Sequence, residues 1–178
     1  AILEYETSSK LNETAAKELA GELAKLYSKA KKYDKAIEFY TFKAANVKLS
    51  PAEYLDLGKA YFVGPKNYAL ADSAFANLNA LSSTYAAGFF WRARSSYQLD
   101  NNKTYAAKPH YEKMIELVKV EERASNSYKV MVLEAAKYLG DYYVTSPEKD
   151  AVKAKDYWTI VNTLDPADKQ AKDFLGIK

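Results

Sequence analysis

Apolar residues recur along this chain at helical spacing, in blocks separated by short polar turns. Leu19, Leu23, Leu26 and Tyr27 fall on one face of a helix, and that face is expected to be buried. Lys31-Lys32-Tyr33-Asp34 makes the turn that follows, with Asp34 as the expected cap of a helix carrying Ala36, Ile37, Phe39 and Tyr40. Ser50-Pro51 opens the next helix, since proline is tolerated in a first turn where its missing N–H costs nothing. That helix carries Tyr54, Leu57, Gly58 and Tyr61 and stops at Gly64-Pro65, and Tyr68 to Leu81 is its partner. A third pair is predicted from about Tyr85 to Leu99 and from Tyr105 to about Glu122, turning at Asp100-Asn101-Asn102, with Pro109 near the start of its second helix. The polar stretch Glu121 to Ser127 is expected as a loop or as helix extension. A fourth pair spans about Ser127 to Val144 and Glu148 to Leu164, and Asp168 to Ile177 begins one more helix.

These blocks repeat. Tyr27, Tyr61, Tyr97 and Tyr143 are 34, 36 and 46 residues apart. Each is followed by an alanine with an aromatic four places on: Ala36/Tyr40, Ala71/Phe75, Ala107/Tyr111 and Ala154/Trp158. A period of this length marks stacked helix–turn–helix units, each unable to bury its apolar face without a neighbour. The predicted fold class is therefore all-α, a solenoid of about four antiparallel helix pairs plus a terminal helix. The predicted segments are 10–49, 50–83, 84–124 and 125–166 for the four repeats, with 167–178 as a capping helix. Ala1 and Tyr5 lie 35 residues before Ala36 and Tyr40, so residues 1–9 read either as the end of a preceding repeat or as a helical tail.

Composition narrows the functional classes. Of 178 residues 48% are hydrophobic, and six glycines and five prolines are too few for a disordered or β-rich chain. The net charge of +3 is mild and shows no basic stripe, which argues against a nucleic-acid partner. The longest uncharged stretch, Ser73 to Trp91, is broken by Asn77, Asn79 and three hydroxyl residues, so no membrane span is expected. Cysteine is absent, which removes disulfides, thiol catalysis and thiolate metal sites. The one histidine, His110, sits beside Pro109 without companions at ligand spacing, and a packing role is expected for it. No glycine-rich phosphate loop occurs. No catalytic residue, metal or cofactor is assigned, and the chain is read as a non-enzyme.

With these spacings in view, the chain resembles the tetratricopeptide-repeat (TPR) family, whose pattern is an aromatic, Leu-Gly, Tyr, then Ala and an aromatic, and finally Pro. The second repeat matches best, with Tyr54, Leu57-Gly58, Tyr61, Ala71 and Phe75. The fourth has Leu139-Gly140, Tyr143, Ala154, Trp158 and Pro166, with Ala136 in place of the leading aromatic. The first has Ala20, Leu23-Ala24, Tyr27, Ala36 and Tyr40. The third has Phe90, Ala93, Tyr97, Ala107 and Tyr111, but Arg94 stands in the small-residue slot, which leaves Trp91 as well as Phe90 open as its packed aromatic. The repeat tyrosines and the following aromatics, Tyr97 included, are expected to pack between helices.

The resemblance implies a right-handed superhelix whose first helices line a concave groove that receives a peptide segment or a partner's helix. It also implies an adaptor or assembly role, and a softer likeness to exported bacterial repeat proteins favours the periplasm or cell envelope over the cytoplasm. Projected from the repeat tyrosines, the groove faces would present Gly21, Glu22 and Lys25; Leu55, Asp56, Lys59 and Phe62; Trp91, Arg92, Ser95 and Gln98; and Lys137, Tyr138 and Asp141. The partner-binding set is Lys25, Lys59, Phe62, Trp91, Arg92, Gln98, Lys137 and Tyr138, because cations beside aromatics suit a peptide bearing a carboxylate. Chaperone-binding members clamp a terminal carboxylate with asparagines that are absent here, where Lys25, Lys59 and Asp56 stand instead. The alternatives are a glycan- or solute-binding envelope protein, whose site would show coplanar aromatics with few charges, and a structural spacer in a longer repeat protein.

Overall fold

The computed structural model describes Thr7, residues 13–101 and residues 103–177. The reading of residues 1–9 as a preceding helix lies outside the described residues, Thr7 apart. Among the described residues the secondary structure is helical throughout, with no strand. The elements are α1 (Glu13–Lys29), α2 (Tyr33–Asn46), α3 (Pro51–Val63), α4 (Tyr68–Leu81), α5 (Ala86–Leu99), α6 (Lys108–Leu117), a 3₁₀ turn (Val120–Glu122), α7 (Lys129–Thr145), α8 (Ala151–Leu164) and α9 (Lys169–Leu175). They fall into two compact units, residues 1–83 and residues 84–178.

In the first unit α1 packs on α2 and α3 on α4, and α3 also rests against α2 and α1. Leu23, Ala24, Tyr27, Ala36, Tyr40, Leu57, Ala60 and Ala74 form the buried core. Gly58 lies directly under the Phe75 ring: a Cβ there would stand 2.4 Å from Phe75 Cε1. The helix starts are set by short polar side chains. Ser50 Oγ accepts the Glu53 N–H at 3.3 Å, while the Glu53 carboxylate accepts the Ser50 N–H at 2.9 Å, a reciprocal cap with Pro51 at the first helical position. Asn67 Oδ1 accepts the Leu70 N–H at 3.1 Å at the start of α4.

Asp34 is not the cap of α2. Lys31 adopts a left-handed conformation (φ 57°), which turns the chain so early that the helix begins at Tyr33 with Lys32 at the cap position. Asp34 then sits in the first turn, where its charge still opposes the helix dipole favourably. Lys66, between α3 and α4, is also left-handed (φ 54°).

In the second unit the packing is again sequential, α5 on α6, α6 on α7, α7 on α8 and α8 on α9, with α5 also touching α7. Phe90, Ala93, Tyr111, Met114, Val132, Ala136, Leu139, Trp158 and Val161 are buried together. Gly140 plays the part of Gly58: a Cβ there would lie 2.7 Å from Trp158 Cε2. Asp150 Oδ1 accepts the N–H groups of Val152 and Lys153, both at 3.0 Å, and Asp168 Oδ1 accepts that of Ala171 at 2.9 Å, capping α8 and α9. Helix α6 is short, ten residues, and begins later than the spacing predicts because Lys103 and Tyr105 both adopt positive φ. The polar stretch after it is a 3₁₀ turn followed by turns, in which the Arg123 guanidinium donates to the carbonyls of Val118 (3.3 Å) and Ile115 (3.4 Å) at the C-terminus of α6.

Two stability outcomes follow from these contacts. Gly58→Ala and Gly140→Ala should each lower the unfolding free energy by about 1–3 kcal/mol, because a ring must give way to the added methyl group. Ser50→Ala should cost about 1 kcal/mol through loss of the α3 cap. Urea unfolding followed by circular dichroism measures all three.

Candidate functional site

The second unit presents a cleft of about 280 Å³ lined by Arg94, Tyr97 and Gln98 from the end of α5, Tyr111 from α6, and Glu134 and Tyr138 from α7. Its existence traces to the irregular third repeat. Arg94 occupies the slot that glycine holds in the second and fourth repeats, and α6 is short. The end of α5 is left exposed, and Tyr97, expected in the packing, is 59% exposed. Phe90, at 4% exposure, is the packed aromatic of this repeat, while Trp91 is half-buried against the same core.

Arg94 is engaged by three neighbours within this unit. Its Nε lies 3.2 Å from Glu134 Oε1, and its guanidinium carbon lies 5.0 Å from the Trp91 ring centre and 5.5 Å from that of Phe90. Glu134 Oε1 also accepts the Tyr111 hydroxyl at 2.8 Å. Burial first, then the Glu134 charge and hydrogen bond, push the Tyr111 phenol far above its usual range. The Tyr138 ring meets Tyr97 edge-on, with centres 6.1 Å apart and planes at 84°, and lies tilted on Tyr111 at 5.0 Å.

Beside this cleft, and sharing Tyr97 and Tyr138 with it, is a hollow of about 360 Å³ completed by Asp100, Lys103 and Tyr105. Asp100 is fixed there by the turn it closes: Oδ1 accepts the Thr104 N–H at 2.7 Å and its hydroxyl at 2.9 Å, and Oδ2 accepts the Ala106 N–H at 3.3 Å. The Thr104 N–H leads the donors that hold this carboxyl below its ordinary range. Burial, then the Asp100 charge, push the Tyr138 phenol up to about 12.

Of the residues projected from sequence, Gln98 and Tyr138 meet in this cleft. Lys137 does not reach it; its ammonium is bonded to the Asp168 carboxylate and ties α7 to the start of α9. Arg92 is half-buried on α5. Ser95 is fully buried, contrary to its expected groove position, because the third repeat places a small side chain one position after the Arg94 slot. Asp141 accepts a hydrogen bond from Gln170 at 2.8 Å.

Lys25, Lys59 and Phe62 belong to the first unit. Lys25 is exposed at a hollow of about 400 Å³ that also contains Tyr40, Lys43, Glu53 and Asp56. There Lys43 Nζ pairs with Glu53 Oε1 at 2.5 Å. Burial alone would raise the Glu53 carboxyl, but the hydrogen bonds from Lys43 and Ser50 outweigh it and hold the group low. The pair rests on Gly21, where a Cβ would meet Glu53 Oε1 at 2.3 Å. Lys59 and Phe62 are half-buried on α3, and the Phe62 ring meets Tyr68 edge-on at 5.0 Å. Among the described residues, no group of three acidic or histidine side chains is arranged to hold a metal ion, and no helix is long and apolar enough to cross a membrane.

Arg94, Tyr97, Asp100, Tyr105 and Glu134 were not in the projected set. Arg94 in a glycine slot is the sequence signal that could have led to this place, since so large a side chain prevents close helix approach.

Sequentially packed helix pairs with small residues beneath aromatic rings define a helical-repeat scaffold of the helix–turn–helix class. No family model matches the sequence, and no curated protein matches it. Among solved structures, the C-terminal part of a TPR repeat-containing protein from Cytophaga hutchinsonii is similar over 98% of this chain, with 30% sequence identity and a TM-score of 0.79. The present chain covers 65% of that one. The fold is TPR-like, a scaffold generally used for protein interaction.

The Tyr138 phenol gives the site a measurable pH dependence. Its folded-state pKa of about 12 lies above the unfolded value of about 10. It therefore contributes stability that is present below about pH 10 and lost as pH rises towards about 12. In Tyr138→Phe this loss should be shallower than in the wild type, as read from urea midpoints at about pH 9 and about pH 11.

Proposed function

We propose that the protein is a non-catalytic interaction scaffold and that the Arg94–Tyr97–Gln98–Tyr138 face of its second unit binds a peptide segment of a protein partner. The observation that carries this reading is an exposed tyrosine cleft at the one irregular repeat, with an amide and a guanidinium–carboxylate pair on its walls. Tyrosine rings supply contact area at little entropic cost, and the polar groups can meet a peptide's carbonyls and N–H groups. The ring planes support a peptide over a sugar: Tyr97 and Tyr138 stand at 84°, whereas a glycan platform calls for parallel, uncharged faces. Trp91, Arg92 and Lys137, in the same unit, are proposed as further contacts for a ligand that extends beyond this cleft, and Lys25, Lys59 and Phe62 stand as a separate proposal on the first unit alone.

The test is a screen of short arrayed peptides against the wild type and the double variant Tyr97→Ser/Tyr138→Leu, with circular dichroism as the folding control. The wild type should retain a sequence-related set of peptides. The double variant should lose binding by tenfold or more, given that aromatic anchors contribute about 2 kcal/mol or more each. Equal capture by both proteins would sink the cleft as the binding site, and retention of sugars with no peptide would favour the glycan reading.

A further inference from the structure

We propose that the corner formed by Tyr97, Tyr105 and Tyr138 receives the cationic side chain of an arginine or lysine in the partner peptide, with Asp100 as its counter-charge. The inference rests on the peptide-binding reading above and adds the chemistry of the residue that is read.

Ring geometry is the first support. Tyr97 and Tyr138 stand nearly perpendicular, so a cation in the corner faces one ring and the flank of another. Tyr105 closes a third side, its own ring braced edge-on against Tyr142 at 4.9 Å and 79°. A cation over a tyrosine face is attracted by the ring quadrupole, and more strongly where water is partly excluded.

Charge gives the second. The corner's carboxylate, Asp100, is held in place by neutral donors, the Thr104 N–H and hydroxyl and the Ala106 N–H. It is thus oriented before any ligand arrives, and no ion pair neutralises it among the described residues. Arg94, close by, is already engaged by Glu134 and by the Phe90 and Trp91 rings. Lys103 lines the rim from an exposed position on the loop and would compete with the ligand for Asp100.

An internal parallel gives the third. In the same unit Lys108 Nζ lies 5.2 Å from the Tyr142 ring centre and 5.6 Å from that of Tyr143, and pairs with Glu148 at 3.2 Å and Glu112 at 3.8 Å. This chain therefore already solvates one ammonium with tyrosine faces and carboxylates. Around Tyr97, Tyr105 and Tyr138 the same groups converge, and among the described residues no lysine or arginine is stacked on those three rings.

The experiment is a titration of the full chain with capped glycine pentapeptides carrying arginine or lysine at the centre, read from the aromatic ¹H–¹³C resonances of Tyr97 and Tyr105. Citrulline, norleucine and glutamate versions serve as neutral, apolar and anionic probes. Saturable shifts are expected with arginine or lysine, and binding of the citrulline and norleucine peptides should be about fivefold weaker or worse, the scale of a partly exposed cation–ring contact with its counter-charge. Asp100→Asn should weaken the arginine peptide by a similar factor and Lys103→Gln should tighten it. Because Asp100 also closes a turn, Tyr97→Ser provides a second variant at an exposed position, checked by its melting temperature.

Equal binding of citrulline or norleucine, preference for glutamate, or no shift with either cation would each overturn the inference. Arrayed peptides captured through the cleft without any requirement for arginine or lysine would sink this inference while leaving the interaction reading in place.

Discussion

Close approach of two helices beneath an aromatic ring is the constraint on which the regular parts of this molecule depend. Gly58 under Phe75 and Gly140 under Trp158 place a backbone where any side chain would strike the ring. Dispersion and burial of these large rings are gained only if the helices come that near. The remaining positions of each repeat follow from it: the tyrosine one turn further on is drawn inward, and the alanine of the second helix must stay small. Tyr143, Ala154 and Trp158 are all buried in the fourth repeat for this reason.

The third repeat shows what happens when the constraint is relaxed. With Arg94 in the glycine position, the helix pair keeps Phe90 and Tyr111 inside, their ring centres 6.3 Å apart, but leaves the end of α5 exposed. The guanidinium is stabilised laterally by two rings and one carboxylate, so the departure is structurally complete. The apolar packing it gives up is exchanged for a surface with tyrosine faces, an amide and charged groups.

Most of the architecture was legible in the sequence because helical periodicity and breaker residues are local features. Gly64-Pro65, Ser50-Pro51 and the alanine–aromatic pairs placed the elements from Pro51 to Leu81 and from Lys129 to Leu164 to within a few residues. The turns were harder to read: Lys31, Lys66 and Lys103 adopt a left-handed backbone that sequence reasoning reserves for glycine or asparagine, so the start of α2 was misplaced and α6 began late. The site was only half legible. Gln98 and Tyr138 could be projected from the repeat, whereas Tyr97 carried the pattern of a packing residue and its exposure depends on what Arg94 does three positions earlier. Lys137 looked like a groove cation, and only tertiary structure shows it spent on Asp168.

The link between Lys137 and Asp168, joined by the bond from Gln170 to Asp141, has a mechanical consequence. Helix α9 packs on α8, and these two polar ties also join it to α7. Under tension applied beyond Ile177, the second unit would come apart helix by helix like a zip, and these clasps would be the first point of resistance. Neutralising either partner would lower the force at which peeling starts while leaving the pairing of α7 with α8 untouched.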